Sequence, residues 1–546
     1  MSFRSLIALA LVSAPLMAQP GRPAAPVNRD RSADPIPAAE YPAYVRRDAV
    51  TNPTILRLLD EGMNRSQAMT LAQVLMDRHG QRLTASPQSD GAQDWLVNTY
   101  ASWGVSARRE RYGTWLGWNR GVTHVDLIAP RVRSLEAVAL AWSPSTGGAP
   151  IEGEAIAYPA NISTPDAFDA WLPNVKGKIF LMSVPRLSCR SPQQWQEFGT
   201  PEEIARVNAA QQELQLSWNN LNVAMSGGRS VWQKLKDAGA IAVFTFQWSN
   251  YPGINKVFGS PNQTVPSFAV GCEDYGLLYR MSRAGQGPRV RAFTDSEVLG
   301  ERPVHNVIAE MKGTERPNEY VVLSAHFDSW AAASGATDNG TGTITMMEAL
   351  RILRRVYPNP KRTIIVGHWN GEEQGLNGSR AYSEDHPEVV GGLHALFNQD
   401  NGTGRIVNLS AGPIAGAGDR LAGYLREIPT EFTRYIRFQP TGSQATGGSD
   451  NASFACYKAP SYGTGALGWD YGSTTWHTDR DSFDKVVEAD LKHNATLLAM
   501  LVYLASEDPT FQPHQTIDPL PNGPNGQPAT WRECTKAQRQ VPAATR

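Results

Sequence analysis

The sequence predicts an α/β protein, a three-layer α/β/α sandwich built on a mixed, mostly parallel sheet, with an inserted, mostly β unit. Three observations carry this reading. Between about 301 and 505, continuous apolar runs such as Tyr320-Val321-Val322-Leu323-Ser324-Ala325 and Thr363-Ile364-Ile365-Val366-Gly367 alternate with amphipathic helical patterns, as expected of parallel strands covered on both faces by helices. Between 135 and 295 the texture changes to short apolar runs spaced by Gly, Pro and Asn, which read as strands of a separate unit. The chain has 546 residues, too many for one ordinary domain.

In chain order, residues 1–18 read as a secretory signal: Arg4 supplies the positive region, Leu6 to Val12 a short apolar stretch, and Leu16-Met17-Ala18 a small-residue cleavage site. That predicts a secreted or periplasmic protein. The apolar stretch is too short to span a bilayer. Residues 19–45, rich in Pro, Ala and Arg, are expected to form a flexible leader. Residues 46–134 open the main unit with helices. One starts at Ser66 and carries Met69, Leu71, Val74, Leu75 and Met76 on its apolar face, and Asp94–Tyr100 lies in a second.

Residues 135–298 form the expected insertion. Val138–Ala141, Lys178–Met182, Ile241–Phe246 and Val265–Val270 are its strands, Trp232–Ala238 a helix, and 198–220 a helical excursion rich in Glu, Gln and Ala. It holds no natural ligand set and is expected to be non-catalytic. Residues 299–508 carry the main alternation. Its strands are Asn306–Met311, Tyr320–Ala325, Thr363–Gly367 and Leu393–Asn398, and its helices Thr343–Val356 and Val486–Ala505. Residues 509–546, rich in Pro, Gln and Asn, read as a poorly packed tail.

The formal net charge is −1 and no run of five like charges occurs, so nothing in the charge balance favours nucleic acid or an anionic membrane. The four cysteines, Cys189, Cys272, Cys456 and Cys534, make no CxxC pair, which excludes a zinc ribbon or thioredoxin-like motif. Three full disulfide pairings are open to them, as is the free thiol state. No G-x-S-x-G elbow of a serine hydrolase is present.

The chemistry-bearing residues sit where apolar runs break into loops. His326 and Asp328 follow a buried strand and, at strand period two, point to one side. His326 can bind a metal while Asp328 orients its imidazole. Asp338, in Gly335-Ala336-Thr337-Asp338-Asn339-Gly340, can bridge two ions with its two oxygens. The adjacent Glu372 and Glu373 diverge, so one can bind metal and the other act as general base. Asp400 and His477 complete two coordination spheres. Oxygen and imidazole donors without cysteine suit two zinc ions sharing a carboxylate. Loops at the carboxyl ends of parallel strands are where such sheets bind ligands.

His326-Phe327-Asp328-Ser329-Trp330, Gly335-Ala336-Thr337-Asp338-Asn339, Gly371-Glu372-Glu373-Gln374-Gly375 and Asp400-Asn401-Gly402-Thr403 together resemble the di-zinc exopeptidases, the family of secreted aminopeptidases, glutamate carboxypeptidase and carboxypeptidase Q. The likeness is greatest to bacterial carboxypeptidase Q-like members and spans roughly 60–505. It implies a zinc-peptidase fold with a protease-associated domain at 135–298. It also implies two Zn²⁺ held by His326, Asp338, Glu373, Asp400 and His477, with Asp338 as the bridge, Glu372 as general base and Asp328 as orienting carboxylate. The implied activity is hydrolysis of peptide bonds at chain ends or in dipeptides through a metal-bridging water. A one-zinc glutaminyl cyclase-like acyltransferase and a non-catalytic receptor on the same scaffold are the competing readings. Three positions depart from the family pattern: Ala331 replaces an acidic residue, Trp476 stands where many relatives have Tyr, and Asn451 where many have His. Tyr471 is a substitute candidate for the missing phenol, and Ser449 and Asp450, in the loop 441–454, are candidate substrate contacts. The expected partner is a peptide or dipeptide substrate, with no nucleic acid and no membrane span. The oligomeric state is open, a homodimer included.

Overall fold

A computed structural model describes residues 31–226, 230–260, 262–469, 471–522, 526–527 and 529–541. The predicted signal peptide and the first part of the leader lie outside the described residues. The main sheet has eight strands in the spatial order Ser106–Asn119, Glu297–Met311, Arg362–Trp369, Arg316–His326, Leu393–Gln399, Ser461–Ala466, Ile406–Ser410 and Arg437–Gln439. Its centre, from Arg362–Trp369 through Ser461–Ala466, is parallel. Strict alternation divides the side chains of these strands between two cores. Ala309, Leu323, Val366 and Phe397 face one, with the helices Pro53–Asn64, Thr341–Val356, Ala417–Glu427 and Glu488–Glu507. Ile308, Val322, Ile365 and Leu396 face the other, against Tyr382, Val389, Val390 and Phe454. This is the three-layer sandwich expected of runs that are apolar throughout. Each fully buried leucine here, such as Leu350, is worth about 1.5–3 kcal/mol of transfer free energy.

The insertion starts earlier than its composition suggests. Thr123–Ala129 pairs with Arg289–Thr294 in the second sheet, twelve residues before the expected boundary at 135. The flanking strands Ser106–Asn119 and Glu297–Met311 form one long antiparallel pair, from Ser106 opposite Glu310 to Asn119 opposite Glu297. The chain leaves the main sheet along one of these strands and returns along the other. The unit is also more helical than expected. Its eight strands are short, and helices cover both faces: Cys272–Arg283 over Leu181, Phe244 and Val270, and Pro165–Trp171, the 25-residue Pro201–Met225 and Val231–Asp237 over Phe180 and Val243. It is an α/β unit, because strands of three or four residues cannot bury two faces without helical cover.

Two further expectations change. Among its described residues the tail is not loose. Cys534 is disulfide-bonded to Cys456, Trp531 Nε1 donates to Cys456 O at 2.9 Å, and Arg539 O accepts from Thr114 N at 2.9 Å. Gln512 is fully buried. The later part of the leader is likewise packed: Val45 is buried and Tyr44 donates to Ile436 O at 2.8 Å. In both segments a few aromatic, aliphatic and cysteine residues outweigh a polar composition. The second disulfide, Cys189–Cys272, lies in the insertion. Among the described residues no helix is long and apolar enough to cross a membrane.

Candidate metal centre

Each proposed ligand lies at the carboxyl end of a main-sheet strand or in a loop drawn toward that edge. His326 ends its strand, Glu372 and Glu373 follow Arg362–Trp369, and Asp400 follows Leu393–Gln399. Asp338 sits in the turn Ala336–Gly340, which opens the helix Thr341–Val356. Gly335 begins that turn at φ 58°, where a Cβ would lie 2.3 Å from that of Ser329, so only glycine fits. His477 is itself left-handed, at φ 57°, a strained backbone for a non-glycine residue that surrounding contacts must hold.

The folded chain brings five of the predicted residues into two groups that share one carboxylate. His326 Nε2 lies 3.3 Å from Asp338 Oδ1 and 3.1 Å from Asp400 Oδ1. His477 Nε2 lies 3.2 Å from Asp338 Oδ2 and 2.9 Å from Glu373 Oε2. In each group one donor atom per residue falls within 4.8 Å of the others. Glu372 belongs to neither group but borders the same cleft.

The electrostatics of this cluster call for a cation. Burial works against charge on His326, yet the Asp400 and Glu372 carboxylates and hydrogen bonds to Asp338 and Asp400 raise its pKa well above the usual value. His477 is pushed to about 9 against its burial, by Asp338 and Glu373. Burial, reinforced by Asp338, lifts Glu373 to about 7. Burial raises Glu372 as well, with Asp400, Asp450 and Glu373 adding to the rise against the opposing charge of His326. No Lys or Arg forms an ion pair with these carboxylates among the described residues. Two divalent ions would neutralise the crowd, and the donor set of carboxylate oxygen and imidazole nitrogen fits zinc.

Asp328 is placed differently from expectation. Its backbone carbonyl, 3.0 Å from His326 Nδ1, is the imidazole's nearer partner, and its carboxylate oxygen is 3.8 Å away. The fully buried carboxylate instead accepts the N–H groups of Glu372 at 3.1 Å and Glu373 at 3.2 Å, and the Thr84 hydroxyl at 3.2 Å. It therefore fixes the turn that aims the two glutamates. Of the candidate substrate contacts, Tyr471 borders the cleft, whereas Gly447 and Gly448 do so in place of Ser449 and Asp450. The Ser449 hydroxyl accepts from Asn398 Nδ2 at 2.8 Å. Asp450 is fully buried, and that burial raises its pKa to about 7. The cleft has a volume of about 440 Å³, and Leu376, Arg380 and Trp476 also border it.

Several supporting residues carry no sequence motif. The buried Arg82 donates to Phe327 O at 2.7 Å, Ser334 O at 2.7 Å and Gly335 O at 2.8 Å, tying the His326 segment to the Asp338 turn. The Asp481 carboxylate accepts from Thr337 N at 2.8 Å and Asp338 N at 3.0 Å. It lies four residues after His477, a spacing that could have drawn attention to it. The insertion reaches the site as well. Val257 N donates to His477 O at 2.8 Å, and Asn255 N to Asp479 Oδ1 at 2.9 Å. The Phe258 ring packs edge-on to His477 at 4.9 Å, and the Lys256 ammonium sits 4.1 Å from the Trp476 ring centre. A loop of the insertion thus holds the His477 segment without supplying a group to either cluster.

Residues 306–502 match the family model described as Peptidase family M28. Carboxypeptidase Q of Mus musculus is 24% identical over 350 residues, covering 64% of this chain and 68% of the relative. A probable glutamate carboxypeptidase of Arabidopsis thaliana is 33% identical over 215 residues, covering 35% of this chain and 31% of its own. Among solved structures, a peptidase M28 precursor from Shewanella amazonensis superposes with a TM-score of 0.61 at 21% identity, covering 84% of this chain and 97% of that one. A zinc aminopeptidase from Bacillus subtilis superposes at 0.52 and 18% identity, covering 81% and 94%. Both structures share the fold.

Proposed function

We propose that this chain, a member of peptidase family M28 through residues 306–502, is a zinc-dependent exopeptidase acting on peptide bonds at chain ends or in dipeptides. The observation that carries this reading is the division of Asp338, whose two oxygens each serve one His–carboxylate group, with Glu372 beside both and in neither. His326, Asp338 and Asp400 would hold one Zn²⁺, and Asp338, Glu373 and His477 the other. When bound, the ions would supply Lewis acidity toward the scissile carbonyl and would lower the pKa of a bound water to about 7.

The chain's own groups do the rest. Glu372 takes the proton of the attacking water on its carboxylate and passes it to the leaving amine. Asp328 keeps the Glu372–Glu373 turn in place by accepting both backbone N–H groups. Burial, with the charges of Asp338, Asp400 and Glu373, raises the Tyr471 pKa well above the usual phenol value. Its hydroxyl therefore stays protonated and can donate to the developing oxyanion. Two disulfides suit an oxidising compartment and support the reading of residues 1–18 as an export signal. The inserted unit is read as a protease-associated domain, a reading supported by its insertion between the two long paired strands.

The test is metal analysis combined with a panel of dipeptides and aminoacyl amides. Two zinc ions per chain with hydrolysis of the panel is the expected result. A single zinc with cyclisation of an N-terminal glutamine would replace this reading with an acyltransferase, and metal binding without turnover would replace it with a receptor.

A further inference from the structure

A second cavity, of about 340 Å³, lies against the wall of the metal cleft. Trp115 from the main sheet, Trp142 and Phe258 from the insertion, and Trp330 from the His326 segment are among its lining residues. The four indole or phenyl rings come from four separate stretches of chain, so the cavity exists only in the folded protein. Its distance from the chemistry is one ring. The Phe258 and Trp330 rings that line it also pack edge-on to His477, with centroids 4.9 and 5.9 Å away. Gln374, the residue after Glu373, lines it as well, and the next residue, Gly375, lines the metal cleft.

Polar atoms here lack partners. Both ends of the Gln374 amide and the Trp330 indole N–H are buried without a hydrogen bond among the described residues. These atoms present almost no surface to the cavity, so it meets a ligand chiefly through its rings.

We propose that this cavity is the specificity subsite of the peptidase and that it takes an aromatic side chain of the substrate, from a residue flanking the scissile bond. The substrate ring stacks among Trp115, Trp142, Phe258 and Trp330, arrangements that aromatic pairs favour at centroid separations of about 4.5–7 Å. The inference deepens the exopeptidase reading and rests on it.

The test fills the cavity from two segments of the chain, with Leu116→Trp on the main sheet and Val541→Trp on the tail, both lining residues that belong to neither ligand group. On zinc-loaded enzyme, wild type should favour dipeptides with Tyr, Phe or Trp over alanyl-alanine by at least about 10- to 200-fold in kcat/KM, the range that a single methylene is worth in an apolar pocket. Each filled variant should lose that preference while cleaving alanyl-alanine as before. Calorimetric titration with p-cresol, which carries the tyrosine ring and no hydrolysable bond, reads the same cavity without turnover, with binding to wild type and none to Leu116→Trp. An unchanged preference, an equal loss across the panel, or equal p-cresol binding would overturn the subsite. p-Cresol binding that the filled variants abolish, in a protein that hydrolyses nothing, would keep the subsite and sink the exopeptidase reading.

Discussion

The adjacent glutamates offer the sharpest test of the chemistry, because two conservative substitutions one residue apart should fail in different ways. Glu373 Oε2 stands 2.9 Å from His477 Nε2 and belongs to a three-residue ligand group. Glu372 belongs to neither group, and its N–H is held by Asp328 at 3.1 Å, a bond that glutamine retains. Glu372→Gln therefore keeps the turn, the metal and the shape of the cleft and removes only the proton acceptor. Losing a positioned general base costs about 10²–10⁴ in rate, equivalent to about 2.7–5.5 kcal/mol of barrier. KM and zinc content should stay near wild type. In wild type, activity should fall on the acid side as Glu372 takes up a proton, and this limb of the pH profile should vanish in the residual activity of the variant. Glu373→Gln should lose zinc and activity together. The assay is steady-state hydrolysis of a dipeptide with parallel elemental analysis of each purified protein. Near-full activity of Glu372→Gln would refute the hydrolytic mechanism, and metal loss in Glu372→Gln but not in Glu373→Gln would show the two roles interchanged.

Asp328→Asn replaces a charged acceptor of two backbone N–H groups, each such bond being worth about 1.5–3 kcal/mol. kcat should fall and zinc affinity weaken about 10- to 100-fold, and zinc titration giving the wild-type affinity would contradict the placement of this carboxylate. Cys534→Ser opens a loop closed by residues 78 apart, for which the chain-entropy account sets a ceiling of ~4.5 kcal/mol. Thermal melting should shift down and limited trypsin digestion should cut at Arg539 before the core, whereas an undigested tail would show that its packing alone suffices. His493 is buried, and burial, helped by Arg405, lowers its pKa to about 3. Because the unfolded chain binds the proton at about 6.5 and the folded one does not, stability present above pH 6.5 is lost as the pH falls toward 3, by ~2 kcal/mol at pH 5. His493→Phe, whose ring can stack on Phe432 as the imidazole does at 4.4 Å, should reduce the difference between urea midpoints at pH 7 and pH 5. An equal difference in both proteins would sink that assignment.

The sequence alone determined the α/β class and the main strands, because Tyr320–Ala325 and Thr363–Gly367 are apolar without interruption and such runs can be satisfied only between two helical layers. It also determined which residue types could converge, since His326, Asp338, Glu372, Glu373 and Asp400 each fall where an apolar run stops or a helix begins. Local pattern could not say which of these side chains would meet. That was decided by the parallel order of the sheet, which sets His326 beside Asp400 across neighbouring strands, and by the left-handed turn at His477. Nor could it place the clamp of the insertion on the His477 segment, the buried Arg82, or the packed tail, because these contacts join residues hundreds of positions apart and leave no period behind. The role of Asp328 changed for the same reason. Strand alternation gives the side on which a carboxylate lies, and only the arrival of the Glu372–Glu373 turn 44 residues later settles which hydrogen bonds it accepts.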